Sequence, residues 1–141
     1  SGERSLVIFL LGYGASSLIL LFISQVVSEE DDQISSLEGI GYKNPLLGFS
    51  LLVALLSLSG IPPFTGFFGK FLLIKDIIQL HPVLGIAAIL SSVIGAYIYL
   101  RLILLIFSKR TPAEKISLDW KLALVLITSM VLLFAGWMLI L

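Results

Sequence analysis

Two consecutive prolines interrupt the longest apolar segment of this chain. The segment covers residues 45–80, and Pro62 and Pro63 lie near its middle, within the run Gly-Ile-Pro-Pro-Phe-Thr-Gly-Phe-Phe-Gly-Lys at 60–70. A single helix of about 36 residues would be about 54 Å long, far more than the ~30 Å hydrocarbon core of a bilayer. Proline also lacks a backbone N–H, and its ring clashes with the preceding helical turn. These two arguments predict that the segment is not one continuous helix.

The length of the segment instead predicts two helices with a break between them. We predict a first helix over 46–59, an unwound stretch over Gly60–Gly66 and a second helix over 67–80. In lipid, backbone groups freed by a break need partners inside protein or beside a water-filled cavity. Half-helix ends of this kind face ions in transporters, so the break indicates an ion or proton path. The residues assigned to the break are Gly60, Pro62, Pro63, Gly66 and Gly69.

The composition is that of an integral membrane protein. Of 141 residues, 58% are hydrophobic and only 13% charged, whereas soluble domains are about 45–50% apolar and about 25% charged. The net charge of zero argues against a nucleic-acid partner and leaves membrane lipids as the expected surroundings. The chain has no cysteine and one histidine, which excludes disulfides and thiolate sites and argues against a histidine metal cluster.

Three further apolar segments cover residues 6–27, 83–107 and 120–141. We therefore predict an all-α, polytopic membrane protein, a single transmembrane unit over 1–141 with about four transmembrane helices, of which the second is broken. Small residues at 12–17 predict that the first helix packs closely on a neighbour.

The loops suggest an orientation. The loop at 108–119 carries Lys109, Arg110 and Lys115, so the positive-inside rule places it on the cytoplasmic or matrix side. With four crossings the acidic connection at 28–44 lies on that same side and both chain ends lie opposite. The run Glu29–Asp32 is interpreted as a solvated loop, with partner binding or cation concentration as the alternative.

Lys70 is the strongest candidate for chemistry. It follows the Pro-Pro break by about two turns and has apolar neighbours, and an intramembrane charge is a functional-site hypothesis by default. Burial and a nearby carboxylate act on a lysine in opposite directions, so a lysine between them can load and release a proton. The alternative is a lysine that snorkels to the interface from a helix end. The break favours function, because water can join its unpaired backbone groups.

Other polar residues are weaker candidates. Lys75 and Asp76 are interpreted as interfacial, and His81 as an incidental residue at a connection, although it can titrate near neutral pH. Three further hydroxyls could hydrogen-bond a chain of water molecules, and packing or helix capping explains them equally well. These residues are Thr65, Tyr97 and Tyr99. The sequence contains no nucleotide loop, nucleophile–base arrangement or paired-carboxylate site, and we expect no cofactor in this chain.

Two stretches around the break carry a family resemblance. Residues 57–63, Ser-Leu-Ser-Gly-Ile-Pro-Pro, and 66–71, Gly-Phe-Phe-Gly-Lys-Phe, closely resemble the broken twelfth helix of NADH dehydrogenase subunit 2, an antiporter-like membrane subunit of respiratory complex I. Residues 37–47 also resemble that subunit, and residues 92–101 resemble its thirteenth helix. The specific motifs cover about residues 37–107.

The resemblance implies a role for one residue. Lys70 matches the lysine of the broken helix, which in the family belongs to a hydrophilic axis where quinone reduction drives proton transfer. It implies a subunit of the proton-translocating NADH:ubiquinone reductase that performs no redox chemistry itself. The implied location is the mitochondrial inner membrane, with the bacterial plasma membrane as the alternative. The implied partners are the other membrane-arm subunits of complex I.

The chain also departs from the family. A full subunit has up to fourteen helices, and the central lysine and the carboxylate–lysine pair of the family lie on helices with no counterpart here. The chain is therefore a fragment of a longer protein or one part of a split subunit, as in some protist mitochondria. We favour the split subunit, with a second chain carrying the N-terminal helices. The rivals are a fragment of a multisubunit cation/proton antiporter and a purely structural membrane subunit.

Overall fold

The computed structural model describes residues 2–27, 37–108, 117–136 and 138. These residues form helices and turns without any strand, so the predicted all-α class is confirmed. The acidic run at 29–32 and the basic residues of the loop at 109–115 lie outside the described residues, and the orientation stays a prediction. The helices are α1 Gly2–Val27, α2 Ile40–Lys43, α3 Pro45–Ser59, α4 Thr65–Leu80, α5 Pro82–Ile106 and α6 Trp120–Ala135.

Two of these helices, α1 and α5, are long and apolar enough to cross a membrane, by length and composition. The helices α3 and α6 are apolar but shorter, with 15 and 16 residues. At 1.5 Å per residue they rise about 22–24 Å, less than the ~30 Å hydrocarbon core. The number of membrane crossings therefore stays a prediction. The short helix α2 lies within the connection at 28–44, which the sequence predicted to be a polar loop.

Helix α3 lies at the centre and contacts α1, α4, α5 and α6. Its start is specified locally: Asn44 is the N-cap, and its side-chain oxygen accepts from the N–H groups of Leu46 at 3.0 Å and Leu47 at 3.2 Å. Pro45 follows at the first turn, where its missing donor costs nothing. Buried side chains of α3 meet α1 and α6 in the main apolar core, which includes Ile19, Ile23, Leu51, Leu55, Leu126 and Leu133.

Glycines bring α1 and α4 into close contact. A Cβ atom on Gly12 would lie 2.9 Å from the backbone nitrogen of Gly66, and one on Gly69 would lie 2.5 Å from Cα of Phe9. Both distances are too short for a real side chain, so the two backbones touch directly. The predicted close packing of the first helix through small residues is confirmed.

This contact corrects the assignment of two glycines to the break. Helix α4 begins at Thr65, two residues before the predicted start at 67, so Gly66 and Gly69 lie inside the helix. The absence of a side chain at these positions is needed for contact with α1, not for an unwound backbone. The stretch between α3 and α4 is accordingly shorter than predicted and covers residues 60–64.

The start of α4 is tied to α6. The hydroxyl of Thr65 donates to the carbonyl oxygens of Leu133 at 2.8 Å and Leu132 at 3.3 Å. The ring of Phe64, directly before α4, lies 4.9 Å from the ring of Phe134 between centroids. These contacts hold residues 60–64 at a fixed place between three helices.

Candidate functional site

The end of α3 determines which backbone groups are left without helical partners. Gly60 adopts a left-handed conformation with φ 80° and ψ 44°, a common way to end a helix. Its N–H donates to Ser57 at 3.2 Å, and the N–H of Ile61 donates to Leu56 at 3.1 Å. The carbonyl of Leu58 receives no such bond, because its helical donor would be residue 62, which is proline.

Lys70 supplies the missing donor. Its side chain extends from α4 back to α3, and Nζ donates to the carbonyl oxygen of Leu58 at 2.9 Å. Lys70 is half-buried, and a Cβ atom on Gly60 would lie 3.7 Å from Nζ. The ammonium group thus occupies the C-terminal end of α3, where the helix dipole is negative and favours a cation.

A cavity of about 100 Å³ lies beside Lys70, between α1, α3, α4 and α5. Its lining is mainly apolar but includes four residues with polar side chains. The lining residues are Phe9, Gly12, Tyr13, Ser57, Leu58, Gly66, Lys70 and Tyr99. Because an ammonium group has three N–H donors and one is used on Leu58, Lys70 retains donors for other partners.

A second, more open pocket of about 220 Å³ lies between α3, α4 and α5, and Lys70 lines it as well. Its other lining includes Ser59, Gly60, Ser92 and Phe71, with apolar side chains of α5. Lys70 lines both the cavity next to α1 and the more open pocket next to α5. A charged group between two cavities is suited to passing a proton from one to the other.

Ser57 is a site residue that the sequence reasoning did not single out. Its side chain is 1% exposed, and Oγ has no hydrogen-bond partner, which is true of no other buried side-chain oxygen or nitrogen among the described residues. The only sequence signal is its position directly before Leu58, one turn ahead of the prolines. Nothing in the composition distinguishes it from the other serines of α3.

The remaining candidates from the sequence lie away from this cavity or at its edge. Tyr99 lines the cavity, whereas Tyr97 is 68% exposed. Thr65 uses its hydroxyl on α6. Asp76 accepts a hydrogen bond from Ser5 Oγ at 2.7 Å, at the far end of α4.

Three other groups stand outside the cavity. Lys75 and His81 are exposed, and His81 separates α4 from α5. Pro62 and Pro63 are exposed as well, within the stretch between α3 and α4. In the part of the chain that the structure describes, no three His, Cys, Asp or Glu side chains come together as a metal site would require.

Within the described ranges, the hydrogen-bond partner of Lys70 is a backbone carbonyl and not a carboxylate. What the arrangement can do chemically is hold an ammonium group at an interrupted helix, between two cavities and surrounded by apolar helices. These features are consistent with the antiporter-like class that the sequence resembles.

Comparison with known sequences gives the same class. A sequence model of the family described as "NADH:quinone oxidoreductase/Mrp antiporter, TM" matches residues 1–95, about two thirds of the chain. The chain belongs to this family.

Curated relatives narrow the resemblance to one subunit. NADH-quinone oxidoreductase subunit N of Cytophaga hutchinsonii is 41% identical over 111 residues, covering 77% of this chain and 24% of that protein. Subunit N of Coxiella burnetii is 31% identical over 137 residues, covering 92% of this chain and 28% of that protein. The chain thus spans about a quarter of the length of the curated relatives it matches.

A solved structure has the same fold. A chain of "Respiratory complex I from Thermus thermophilus with bound Aureothin" superimposes with a TM-score of 0.83 at 25% sequence identity, covering 97% of this chain and 33% of that chain. The resemblance to an antiporter-like complex I subunit is confirmed, with relatives that are named subunit N rather than subunit 2. These relatives are bacterial, so they give no support to the mitochondrial location.

Proposed function

We propose that this chain is a membrane-arm component of respiratory complex I and contributes to proton translocation coupled to NADH:quinone oxidoreduction. The proposal is supported by its relatives, which are NADH-quinone oxidoreductase subunits, and by its likeness to a chain of complex I. Because the chain spans about a quarter of those relatives, it corresponds to one part of the subunit, which we assign to its C-terminal end. Electron transfer takes place on other subunits, and this chain carries no redox cofactor.

In this proposal the chain crosses the membrane four times. The helices α1 and α5 each form one crossing, the apolar segment 120–141, which begins with α6, forms another, and α3 with α4 forms a single broken crossing. Neither α3 nor α4, with 15 and 16 residues, reaches the ~30 Å of the hydrocarbon core alone, whereas two half-helices joined by residues 60–64 do. The chain then lies in the bacterial plasma membrane, as its bacterial relatives suggest.

Lys70 acts as the proton-relay residue at this break. The observation that carries the assignment is the hydrogen bond from Nζ to the carbonyl of Leu58 at 2.9 Å. This bond holds the amine between the two pockets and leaves its other N–H groups available. When a charge moves nearby, the ammonium group can release a proton on one side, and the neutral amine can take up a proton on the other. The rest of the relay lies on helices that this chain lacks.

The expected partners are those that supply the remaining helices of the subunit. A proton path through the whole subunit needs the helices that precede these in the relatives, whether they belong to a second chain or to the same longer protein. The chain therefore assembles with other membrane-arm subunits of complex I and with the part of its own subunit that carries those helices.

Purification in mild detergent tests the assignment to complex I. An affinity tag on this chain should recover the quinone-reductase subunits together with NADH:quinone reductase activity. Recovery of a cation/proton antiporter assembly without that activity would overturn the assignment and favour the antiporter alternative, which shares the same family.

Replacement of Lys70 tests the relay. In membrane vesicles, Lys70→Met should slow NADH-driven acidification while the complex still assembles. Lys75→Met is the matched control, because Lys75 lies on the same helix and is exposed. Equal acidification by the two variants and the unmodified complex would leave this chain with a structural role only.

A further inference from the structure

A third pocket lies where the end of α5 meets the connection before α2. Its volume is about 640 Å³, within the ~300–1,000 Å³ range of small-molecule sites. Two opposite charges line it, Arg101 of α5 and Glu38 of the connection, together with aliphatic side chains of α5 such as Ile98 and Leu104. It shares no lining residue with the two pockets at Lys70.

Backbone and ring contacts hold Glu38 at the end of α5. The N–H of the next residue, Gly39, donates to the carbonyl oxygen of Leu105 at 3.4 Å. The ring of Tyr42 meets the ring of Phe107 edge-on, with 6.3 Å between the centroids. Residues far apart in the sequence are therefore brought together in one pocket by the fold.

Arg101 offers a strong anion site. In the part of the chain that the structure describes, its guanidinium group makes no hydrogen bond or ion pair. The side chain is exposed, and its planar fork of N–H donors matches the oxygens of a phosphate. Glu38 has a polar partner of its own, but a carboxylate accepts from more than one donor. The pocket thus has one group for an anion and one for a cation.

The position of Arg101 along α5 corresponds to the depth of lipid headgroups. The 25 residues of α5 rise about 37 Å, some ~7 Å more than the hydrocarbon core. Arg101 lies five residues before the last residue, Ile106, so its Cα is about 4 Å inside the core boundary of a centred helix. Its long side chain reaches the headgroup region from there.

A column of apolar side chains continues from the pocket along α5. Leu90, Ile94 and Ile98 are 60%, 64% and 52% exposed, and their spacing from Arg101 places them on one side of the helix. The column is about 16 Å long, which is enough for much of an acyl chain. Helix contacts in membranes favour small residues, whereas these three are large, so lipid suits this surface better than another helix.

We propose that the pocket at the end of α5 is a phospholipid site for phosphatidylethanolamine, with the phosphate on Arg101 and the ammonium group on Glu38. The acyl chains lie along the column on α5. This site goes beyond the proposed function: it rests on the proposed membrane crossing of α5 and not on the role of Lys70.

The two charges select the headgroup. Phosphatidylethanolamine carries a phosphate for Arg101 and an ammonium group whose three N–H donors reach a carboxylate. Phosphatidylglycerol has no cation, so it would leave Glu38 facing an anion. The quaternary ammonium of phosphatidylcholine has no N–H to donate. The preference for phosphatidylethanolamine therefore depends on Glu38, and the binding of any of the three depends on Arg101.

The direct test is a density map of the unmodified, assembled complex in nanodiscs of phosphatidylethanolamine and phosphatidylglycerol. We expect a headgroup in the pocket, with phosphate oxygens about 2.7–2.9 Å from the guanidinium nitrogens of Arg101, and acyl density along α5. An empty pocket, a carboxylate of another subunit on Arg101, or protein on the apolar column would overturn the inference.

Photoactivatable phospholipids test the selectivity in the same nanodiscs. In the unmodified complex, phosphatidylethanolamine should label α5 several-fold more than the phosphatidylcholine or phosphatidylglycerol analogue does. Arg101→Gln should lower that labelling about fivefold, as for lost hydrogen bonds between charged groups. Glu38→Gln should remove the preference over phosphatidylcholine. Equal labelling by the three lipids in the unmodified complex, a comparison that needs no variant, would contradict the site.

Lys121→Gln is the matched control. Lys121 is an exposed cation at the start of α6, which follows α5 in the chain, so its loss changes the net charge by the same amount. Labelling should stay unchanged in this variant, and a fall equal to that of Arg101→Gln would indicate general attraction of lipid instead of a site.

The outcome for the lipid is separate from the outcome for complex I. If the complex has quinone-reductase activity but shows no headgroup preference, the lipid site fails and the proposed function stands. If the chain is recovered with an antiporter assembly and still prefers phosphatidylethanolamine, the proposed function fails and the lipid site stands.

Discussion

Lys70 takes the place of a backbone donor that Pro62 removes. In a continuous helix the carbonyl of Leu58 would accept from the N–H of residue 62, and proline has none. Nζ of Lys70 donates to that carbonyl at 2.9 Å instead. The break and the lysine are therefore one structural unit: the prolines create an acceptor, and the lysine is held by it.

The conformation of Gly60 predicts the effect of a side chain there. Because Gly60 has φ 80°, Gly60→Val should destabilise the end of α3 by at least about 1–2 kcal/mol. Space is not the obstacle, since a Cβ atom would meet the nearest atom of Lys70 at 3.6 Å. Gly60→Asn is the control, because asparagine tolerates this conformation better. On native gels the temperature at which the complex dissociates should fall clearly for Gly60→Val and less for Gly60→Asn. Equal decreases would contradict the backbone explanation.

Close contact between α1 and α4 predicts a difference between two glycines that are two residues apart. Gly12→Ala places a methyl group 2.9 Å from the backbone of Gly66 and should cost about 1–3 kcal/mol by overpacking. Gly14→Ala meets nothing within 4 Å and should be neutral or slightly stabilising. The amount of this chain in the purified complex measures both effects. Similar amounts for both variants would show that the helices can move apart freely.

The hydrogen bonds of Thr65 predict that its hydroxyl, not its shape, ties α4 to α6. Thr65→Val keeps the volume but removes the donor to Leu133, and should cost about 1 kcal/mol or somewhat more. Thr128→Val is the matched control, because Thr128 is exposed and bonds within its own helix at 2.7 Å. Thermal dissociation of the complex on native gels should occur at a lower temperature in Thr65→Val alone. Equal dissociation temperatures for the two variants would assign no such role to Thr65.

The sequence predicted the parts of the fold that depend on local chemistry. Pro62 and Pro63 gave the position of the break, and the small residues near Gly12 gave the contact face of α1. Lys70 is a candidate because it is an ionisable side chain in an apolar segment, and its role stays a prediction.

The parts that depend on distant contacts were not predictable. Gly66 and Gly69 were assigned to the break because glycine is common in unwound backbone, whereas their surroundings are set by α1, more than fifty residues earlier. Ser57 was not distinguished from Ser50 and Ser59, since all three are serines on α3. What separates them is that Ser50 and Ser59 bond to carbonyls of α3, whereas the hydroxyl of Ser57 has no partner among the described residues and lies against Gly66 of α4.

The number of protons translocated per electron in reconstituted proteoliposomes tests the relay role of Lys70 most directly. Electron transfer from NADH to quinone and proton uptake are measured on the same assembled complex, for Lys70→Met, for Lys75→Met and without substitution. In Lys70→Met we expect either the proton-to-electron ratio or the rate of electron transfer to fall. In Lys75→Met both quantities should stay normal. An assembled Lys70→Met complex with normal electron transfer and an undiminished ratio would contradict the account.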